Sequence, residues 1–423
     1  MTLFTALHRL LGRPPGPITD EMIDAAIAAE LAETDDLDWK GELPPTKGLS
    51  GHDFPKDVAA LANSGGGVIV YGVEEKEKRA TGRKDVGDLT ENHERTLLAA
   101  AYGAITPPVV GVRVHRLGEP GSRAVALVVP ASTDGPHLIF RDKFFGAPVR
   151  NDADTEWMKE RQIEAAYRAR LDERRHATEV LDRLFEEARV NWTTASRAWL
   201  VAVAHPRLPL TATTRPTKEV AKAILAAAVP DALHWASRAG IHPLENVDRF
   251  NPRPGLRRWI AVNERIDAKS EWRSAWAAIH DDGSVSLASS VGGYPDVEGE
   301  GGRPNVVEGS TIECAVADLM ALVRAASAHF GTSEYEVRVG IDRDERLGFG
   351  DDQPLIIRSV DNFGYPFDGT SLELWRYSPV SATVVADAAP LDYYWQVHDL
   401  ARDCINQGGL THVRLISPPE REG

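Results

Sequence analysis

The sequence predicts a mixed α+β protein in two parts, an α/β domain over residues 1–190 and a separate α+β domain over residues 191–423. Three observations predict it. Short apolar runs of strand length alternate with segments of helical period along the whole chain. Trp157 to Leu184 reads as one long, highly charged helix, suited to closing the first part. With 423 residues, 43% apolar and 26% charged, the composition is that of a globular chain of two or three domains, which excludes disordered, collagenous and coiled-coil classes.

In the first part, Asp20 to Ala32 carries Met22, Ile23, Ala26, Ile27 and Leu31 at helical spacing, with acids in its first turn where the helix dipole favours them. Leu37 to Lys40 starts a strand, and the Pro/Gly/Ser stretch after it is a loop. Asp53 is placed to cap a helix from Phe54 to Asn63 that Gly65 ends. Val68 to Val73 is apolar on both faces, as a central strand covered on both sides would be. A charged turn over Glu74 to Lys78, a helix near Glu91 to Tyr102, strands at Val109 to Val114 and Ala124 to Val129, and a hairpin from His137 to Arg150 complete the part.

The second part opens on the apolar run Ala198 to Ala204, followed by a helix at Thr217 to Ala228. Asp282-Gly283 suits the turn of a hairpin between Trp276–His280 and Val285–Ala288. The Gly-rich segment 291–309 is expected to be a mobile loop. Helices at Thr311 to Phe330 and Leu391 to Asn406, and strands at Tyr335–Ile341, Leu355–Val360, Thr383–Ala386 and His412–Ile416, finish the pattern.

A net charge of −15 argues against a surface that coats nucleic acid everywhere, so a cationic face has to be local. Residues 101–150, with six Lys or Arg against three Asp or Glu, are where it would lie. Cys314 and Cys404 stand alone and far apart, which leaves no disulfide framework or zinc knuckle and fits a reducing compartment. The thirteen histidines show no His-Glu-x-x-His setting. His8 and Arg9 interrupt the apolar start, and no window holds the roughly 18 apolar residues of a membrane span, so a cytoplasmic protein is expected.

The segment from Glu33 through Leu37-Asp38-Trp39-Lys40, with Ala62-Asn63-Ser64-Gly65-Gly66-Gly67 and Tyr71-Gly72-Val73-Glu74-Glu75 after it, resembles the AlbA_2 domain of the Schlafen family. Gly82, Val129-Pro130, Gly135-Pro136-His137, Arg150, Ile163 and Tyr167 extend the resemblance over about residues 20–175. It implies a three-carboxylate active centre at Glu33, Asp38 and Glu75, with Asp38 standing where the family usually has Glu and Glu75 where it has Asp. Both exchanges keep the charge and change the reach by one methylene. Residues 190–423 carry no resemblance.

The residues add their own argument. Positions 33 and 38 fall on opposite faces of a straight strand, so their side chains meet only if the chain turns at Thr34-Asp35-Asp36. Three acids brought together repel one another, and their oxygen ligands suit Mg²⁺ or Mn²⁺ rather than zinc. Lys40 is placed to meet a phosphate or its developing charge. Lys76 and Lys78 in the charged turn, and Arg141, Lys143 and Arg150 interleaved with Phe140, Phe144 and Phe145 in the hairpin, are candidate nucleic-acid contacts; the plain alternative puts the aromatics in the core. The three glycines follow a helix and precede a strand, the reverse of a phosphate loop, and serve a tight turn rather than a nucleotide.

The resemblance implies structured RNA such as tRNA as the substrate class, and with the clustered acids and the basic hairpin it leads to the expectation of a bacterial-type, metal-dependent endoribonuclease, in stress response or defence, with the C-terminal part as a sensor or regulator. Family nucleases pair two related lobes and this chain shows one, so a homodimer is expected. A non-catalytic DNA- or RNA-binding transcriptional regulator and a protein-interaction module are the alternatives.

Overall fold

A computed structural model describes residues 4–14, 16–51, 53–141, 144–190, 197–208, 210, 215–236, 240–263, 271–293, 303–342, 353–359 and 371–416. The chain divides into two compact units, Met1–Arg175 and His176–Gly423. The division falls inside the long charged helix, earlier than the expected boundary at 190.

The first unit begins with α1 (Ala6–Leu10), α2 (Asp20–Ala28), β1 (Leu37–Lys40), α3 (Asp53–Asn63) and β2 (Gly67–Tyr71). It continues through β3 (Val73–Lys76), β4 (Arg79–Arg83), α4 (Glu91–Gly103), β5 (Ile105–Thr106), β6 (Arg113–Leu117) and β7 (Ala124–Val129). The hairpin strands β8 (Leu138–Arg141) and β9 (Phe144–Gly146), then β10 (Pro148–Asn151) and β11 (Asp154–Trp157), lead into α5 (Glu160–Val190).

Its main sheet has the order β1-β2-β7-β6, with β1 parallel to β2 and the other pairs antiparallel. Strand alternation sorts the core into two layers. Leu37, Trp39, Val68 and Val70 pack with Leu7, Ile23 and Ala26 on one face, while Ile69, Tyr71, Val125 and Leu127 pack with Val58, Leu61 and Leu97 on the other. The expected central strand is therefore β2, covered on both sides. Asp38 lies between Leu37 and Trp39, so the pleat sends it to the α3 side of the sheet.

The expected charged turn at 74–78 is instead a hairpin. Gly72, at φ +97°, breaks the apolar strand, and β3 then pairs antiparallel with β4 around Glu77 and Lys78, both in left-handed conformation. Glu75 thus sits on a strand. The hairpin expected over 137–150 is β8–β9, and a second one follows it, because β10 pairs with β11 over residues 148–157.

The second unit contains β12 (Trp199–Pro206), α6 (Lys218–Trp235), α7 (Pro243–Asn246), β13 (Arg253–Gly255), β14 (Arg258–Val262), β15 (Ala275–His280) and β16 (Val285–Ser290). β17 (Val306–Glu308), α8 (Gly309–Phe330), β18 (Glu334–Asp342), β19 (Leu355–Arg358), β20 (Glu373–Leu374), β21 (Val380–Val385) and α9 (Pro390–Asn406) follow. An antiparallel sheet of order β13-β14-β15-β16-β12-β18-β21 forms its centre. One face carries a core that includes Ile224 of α6, Met320 of α8 and Val397 of α9; the other is covered by Val180, Leu184 and Phe185 of α5. Helix α8 is buried along almost its whole length; its surface is apolar on nearly all sides, and its buried carboxylates Glu313 and Asp318 are hydrogen-bonded.

Helix α6 runs through Pro230 to Trp235, past its expected end, because Ala228, Ala232 and Trp235 are buried in the core and packing outweighs the proline's lost hydrogen bond. The expected strand at His412–Ile416 does not form. Those residues take an irregular path in which the buried Glu313 carboxylate accepts the N–H groups of Arg414, Leu415 and Ile416 at 2.6–3.3 Å. Of the expected loop at 291–309, residues 306–308 are strand β17, and 294–302 lie outside the described residues. Cys314 and Cys404 are buried and free, as expected.

Candidate active site

Glu33 leaves α2 through an irregular segment that the β3–β4 hairpin holds in place. Ala80 N–H donates to Leu31 O at 3.0 Å, and Glu33 N–H donates to Lys78 O at 2.8 Å. This docking carries the face of β3 that bears Glu75 up to Glu33. The turn required between positions 33 and 38 is present: Thr34 N–H donates to Leu37 O at 3.1 Å and Leu37 N–H returns the bond at 3.4 Å. Asp36 at its corner accepts the Thr34 hydroxyl at 2.7 Å and Arg9 at 2.6 and 2.8 Å.

The acids converge. Glu33 and Asp38 are buried, and Glu75 is exposed at the edge of the group. Trp39 N–H orients Glu33 by donating to its Oε1 at 3.1 Å. Burial, a carboxyl–carboxyl hydrogen bond with Glu75 and the charge of Asp38 push the Glu33 pKa up to about 7, so Glu33 holds a proton near neutrality. Asp38 faces two cations: Arg150 Nη1 lies 3.2 Å from its Oδ1 and Lys40 Nζ lies 2.5 Å from its Oδ2, the latter an ion contact outside hydrogen-bond geometry. Burial opposes the charge on Lys40, but the attraction of Asp38, with Asp57 and Glu33 adding to it, raises its pKa.

Asp57 is a member that sequence reasoning missed. It lies on α3, and burial together with the charge of Asp38 pushes its pKa up to about 6 against the opposing pull of Lys40. Locally it is one acid among several on an amphipathic helix; its meaning comes only from the sheet face that Asp38 shares.

The candidate nucleic-acid contacts divide. Arg150 is buried, its guanidinium spent on Asp38 and on Thr34 O at 3.1 Å, so it supports the carboxylates and is not available to a phosphate. Lys78 is ion-paired with Asp154 at 2.6 Å. Lys76 is exposed and Lys40 is part exposed. Arg141 lies on β8 by its backbone, while its side chain and the whole of Lys143 lie outside the described residues. Phe140 and Phe145 are 58% and 62% exposed, which overturns the core reading for these two rings.

The Asn63-Ser-Gly-Gly-Gly run ties the site together. Asn63 Oδ1 accepts His137 N–H at 2.7 Å, and its Nδ2 donates to His137 O at 3.0 Å and Pro148 O at 2.8 Å. Ser64 Oγ accepts Arg150 N–H at 2.8 Å. Gly66, at φ +89°, has no room for a side chain, since a Cβ would lie 2.6 Å from Ala131 N. His137 is a buried turn histidine whose Nδ1–H donates to Pro107 O at 2.8 Å and whose pKa burial lowers.

Residues 33–159 match the Schlafen, AlbA_2 family model. The resemblance drawn from the Asn-Ser-Gly-Gly-Gly run is thereby borne out, and the AlbA_2 region contains all four acids. Two solved structures are similar to the chain. One is the N-terminal domain of a RecG-related protein from Nitrosomonas europaea, 14% identical, covering 34% of this chain and 94% of that one with a TM-score of 0.25. The other is the DIP2311 protein from Corynebacterium diphtheriae, 15% identical, covering 51% of this chain and 37% of that one with a TM-score of 0.24. No curated protein matches the chain.

The donor set suits a hard cation, since every candidate ligand is a carboxylate oxygen. As they stand, the proton that burial keeps on Glu33 and the two cations beside Asp38 offset the charge of the group. Among the described residues, no group of three or more His, Cys, Asp or Glu side chains is placed to hold an ion. Among the same residues, no helix is long and apolar enough to cross a membrane.

Proposed function

We propose that the AlbA_2 region binds nucleic acid and cleaves its phosphodiester backbone, with structured RNA, tRNA included, as the substrate class and the C-terminal unit as regulator. One observation carries the reading: the buried carboxylates of Glu33 and Asp38 come together with Glu75 at their open edge, beside a part-exposed Lys40 whose Nζ lies 2.5 Å from Asp38 Oδ2. As placed, the three acids do not form an ion site; with the Glu33 proton released and Lys40 drawn off Asp38, Glu33, Asp38 and Glu75 would hold Mg²⁺ or Mn²⁺, which when bound supplies a Lewis acid for water and for the scissile phosphate. Lys40 offers its charge to the phosphate, and Arg150 keeps Asp38 fixed from behind.

The test is incubation of the purified chain with labelled tRNA and labelled duplex DNA, in Mn²⁺ and in chelator, for the wild type, Glu33→Ala and Asp38→Ala. Metal-dependent cleavage lost by at least about a hundredfold in both variants is the expected result. Cleavage that persists in either variant would remove the carboxylates from the chemistry.

A second reading, a binding protein without catalysis, is favoured by the two cations already set against Asp38. It predicts retained, salt-sensitive binding with no cleavage in any metal. A protein-interaction role is the outcome if neither nucleic acid binds. A homodimer that supplies a second lobe belongs to the nuclease reading, and sedimentation velocity is expected to give twice the 46.2 kDa chain mass; a strictly monomeric boundary speaks against it.

A further inference from the structure

Phe140 on β8 and Phe145 on β9 are direct cross-strand partners. Their rings stand 5.8 Å apart between centroids and 43° from parallel, on the open face of the hairpin. Exposure of two large apolar rings side by side costs free energy in water, and among the described residues the first unit buries neither. The opposite face of β9 is covered: a Cβ on Gly146 would lie 2.7 Å from the Trp157 ring, so the indole backs the hairpin where the Phe pair does not.

The hairpin is rooted at the carboxylate site. Asn63 holds His137 immediately before β8 and Pro148 just after β9, so one side chain grips both ends of the finger. Two residues beyond Pro148, Arg150 reaches Asp38. Of the cations in the surrounding stretch 101–150, Arg116, Arg123 and Arg150 are ion-paired with Glu94, Asp85 and Asp38, which cancels its excess of three positive charges and leaves the exposed rings as the feature a partner must meet. A partner with free planar apolar faces meets it, and a nucleic acid held at the carboxylates brings such faces to the finger.

We propose that Phe140 and Phe145 form a stacking platform for unpaired nucleobases, so that the substrate presents a single-stranded or splayed-out segment to the finger while its backbone lies toward the acids. The inference rests on the nucleic-acid reading of the same unit and narrows its substrate. Duplex ends and paired stems lack a free base face and gain nothing from the platform.

Binding measured in chelator separates this from catalysis. The probes are a fluorescein-labelled single-stranded RNA of about 20 nucleotides and a blunt duplex of the same sequence, titrated with the wild type, Phe140→Ala/Phe145→Ala and Phe140→Trp/Phe145→Trp. The alanine pair is expected to weaken single-strand affinity roughly 5- to 100-fold and to leave duplex affinity within about twofold, while the tryptophan pair retains single-strand affinity. Both sites are exposed, and an unchanged thermal melt verifies folding. Equal losses for both probes, no loss for the single strand, no binding by the wild type, or a change only in oligomeric state each overturn the platform. Absence of cleavage in Mn²⁺ alongside the expected selectivity would end the nuclease reading alone.

Discussion

Glu33→Gln is expected to stabilise the N-terminal unit at pH 8 and, on the nuclease proposal, to abolish cleavage. The carboxyl of Glu33 has its pKa raised from 4.5 to about 7, first by burial, then by the hydrogen bond with Glu75 and the charge of Asp38. Between these two values the folded chain keeps a proton that the unfolded chain has released, so stability falls as pH rises through that window and levels off above it. The whole shift converts to about 3 kcal/mol; because Glu75 is exposed and water reaches the shared edge, about 2 kcal/mol is the better expectation.

Gln keeps the acceptor for Trp39 N–H and carries an amide donor for Glu75, but cannot ionise. The unit's thermal midpoint should therefore rise by roughly 4–8 °C at pH 8 and hardly move at pH 4.5, read by calorimetry at both values. A variant no more stable at pH 8 than the wild type would show that Glu33 is not held against its charge.

Asn63→Ala is expected to cost about 3 kcal/mol, measured as a lower urea midpoint at unchanged slope. Three hydrogen bonds of 2.7–3.0 Å disappear, and the N–H and C=O of His137 and the C=O of Pro148 lose their partner at once. Asn63→Asp keeps the acceptor for His137 N–H and loses both donors, so its loss should be smaller at low pH, where the carboxyl is protonated. Arg150 follows Pro148 closely, so the Asp38 pair loosens with the clamp; nuclease activity, where present, should fall further than stability alone explains. An Asn63→Ala protein with wild-type stability would mean that the hairpin is held by other contacts.

Several elements were legible because their signals are local. The buried strand β2 announces itself by a run apolar on both faces, and the helix before it by period and by its glycine stop. The turn between Glu33 and Asp38 followed from a parity argument alone: two side chains five residues apart meet only if the chain folds back, and the reciprocal Thr34–Leu37 bonds do this. Other features were hidden because distant pairing creates them. Glu75 looked like a turn residue until Gly72 broke the strand and β4 folded back onto β3. The helix expected to end at Ala228 is carried through Pro230 to Trp235 by the core of the second unit.

The sequence by itself determined which chemistry is available: three acids with oxygen ligands, the glycines of a close helix–strand approach, and aromatics interleaved with cations near residue 140. Tertiary structure alone decided how that chemistry is apportioned. It turned Arg150 from a phosphate contact into a buried partner of Asp38, drew Asp57 into the group, and left Phe140 and Phe145 facing water. The physical reason is that charge and burial are properties of surroundings: a carboxylate or a ring takes its energy from neighbours that the chain order leaves tens of residues away.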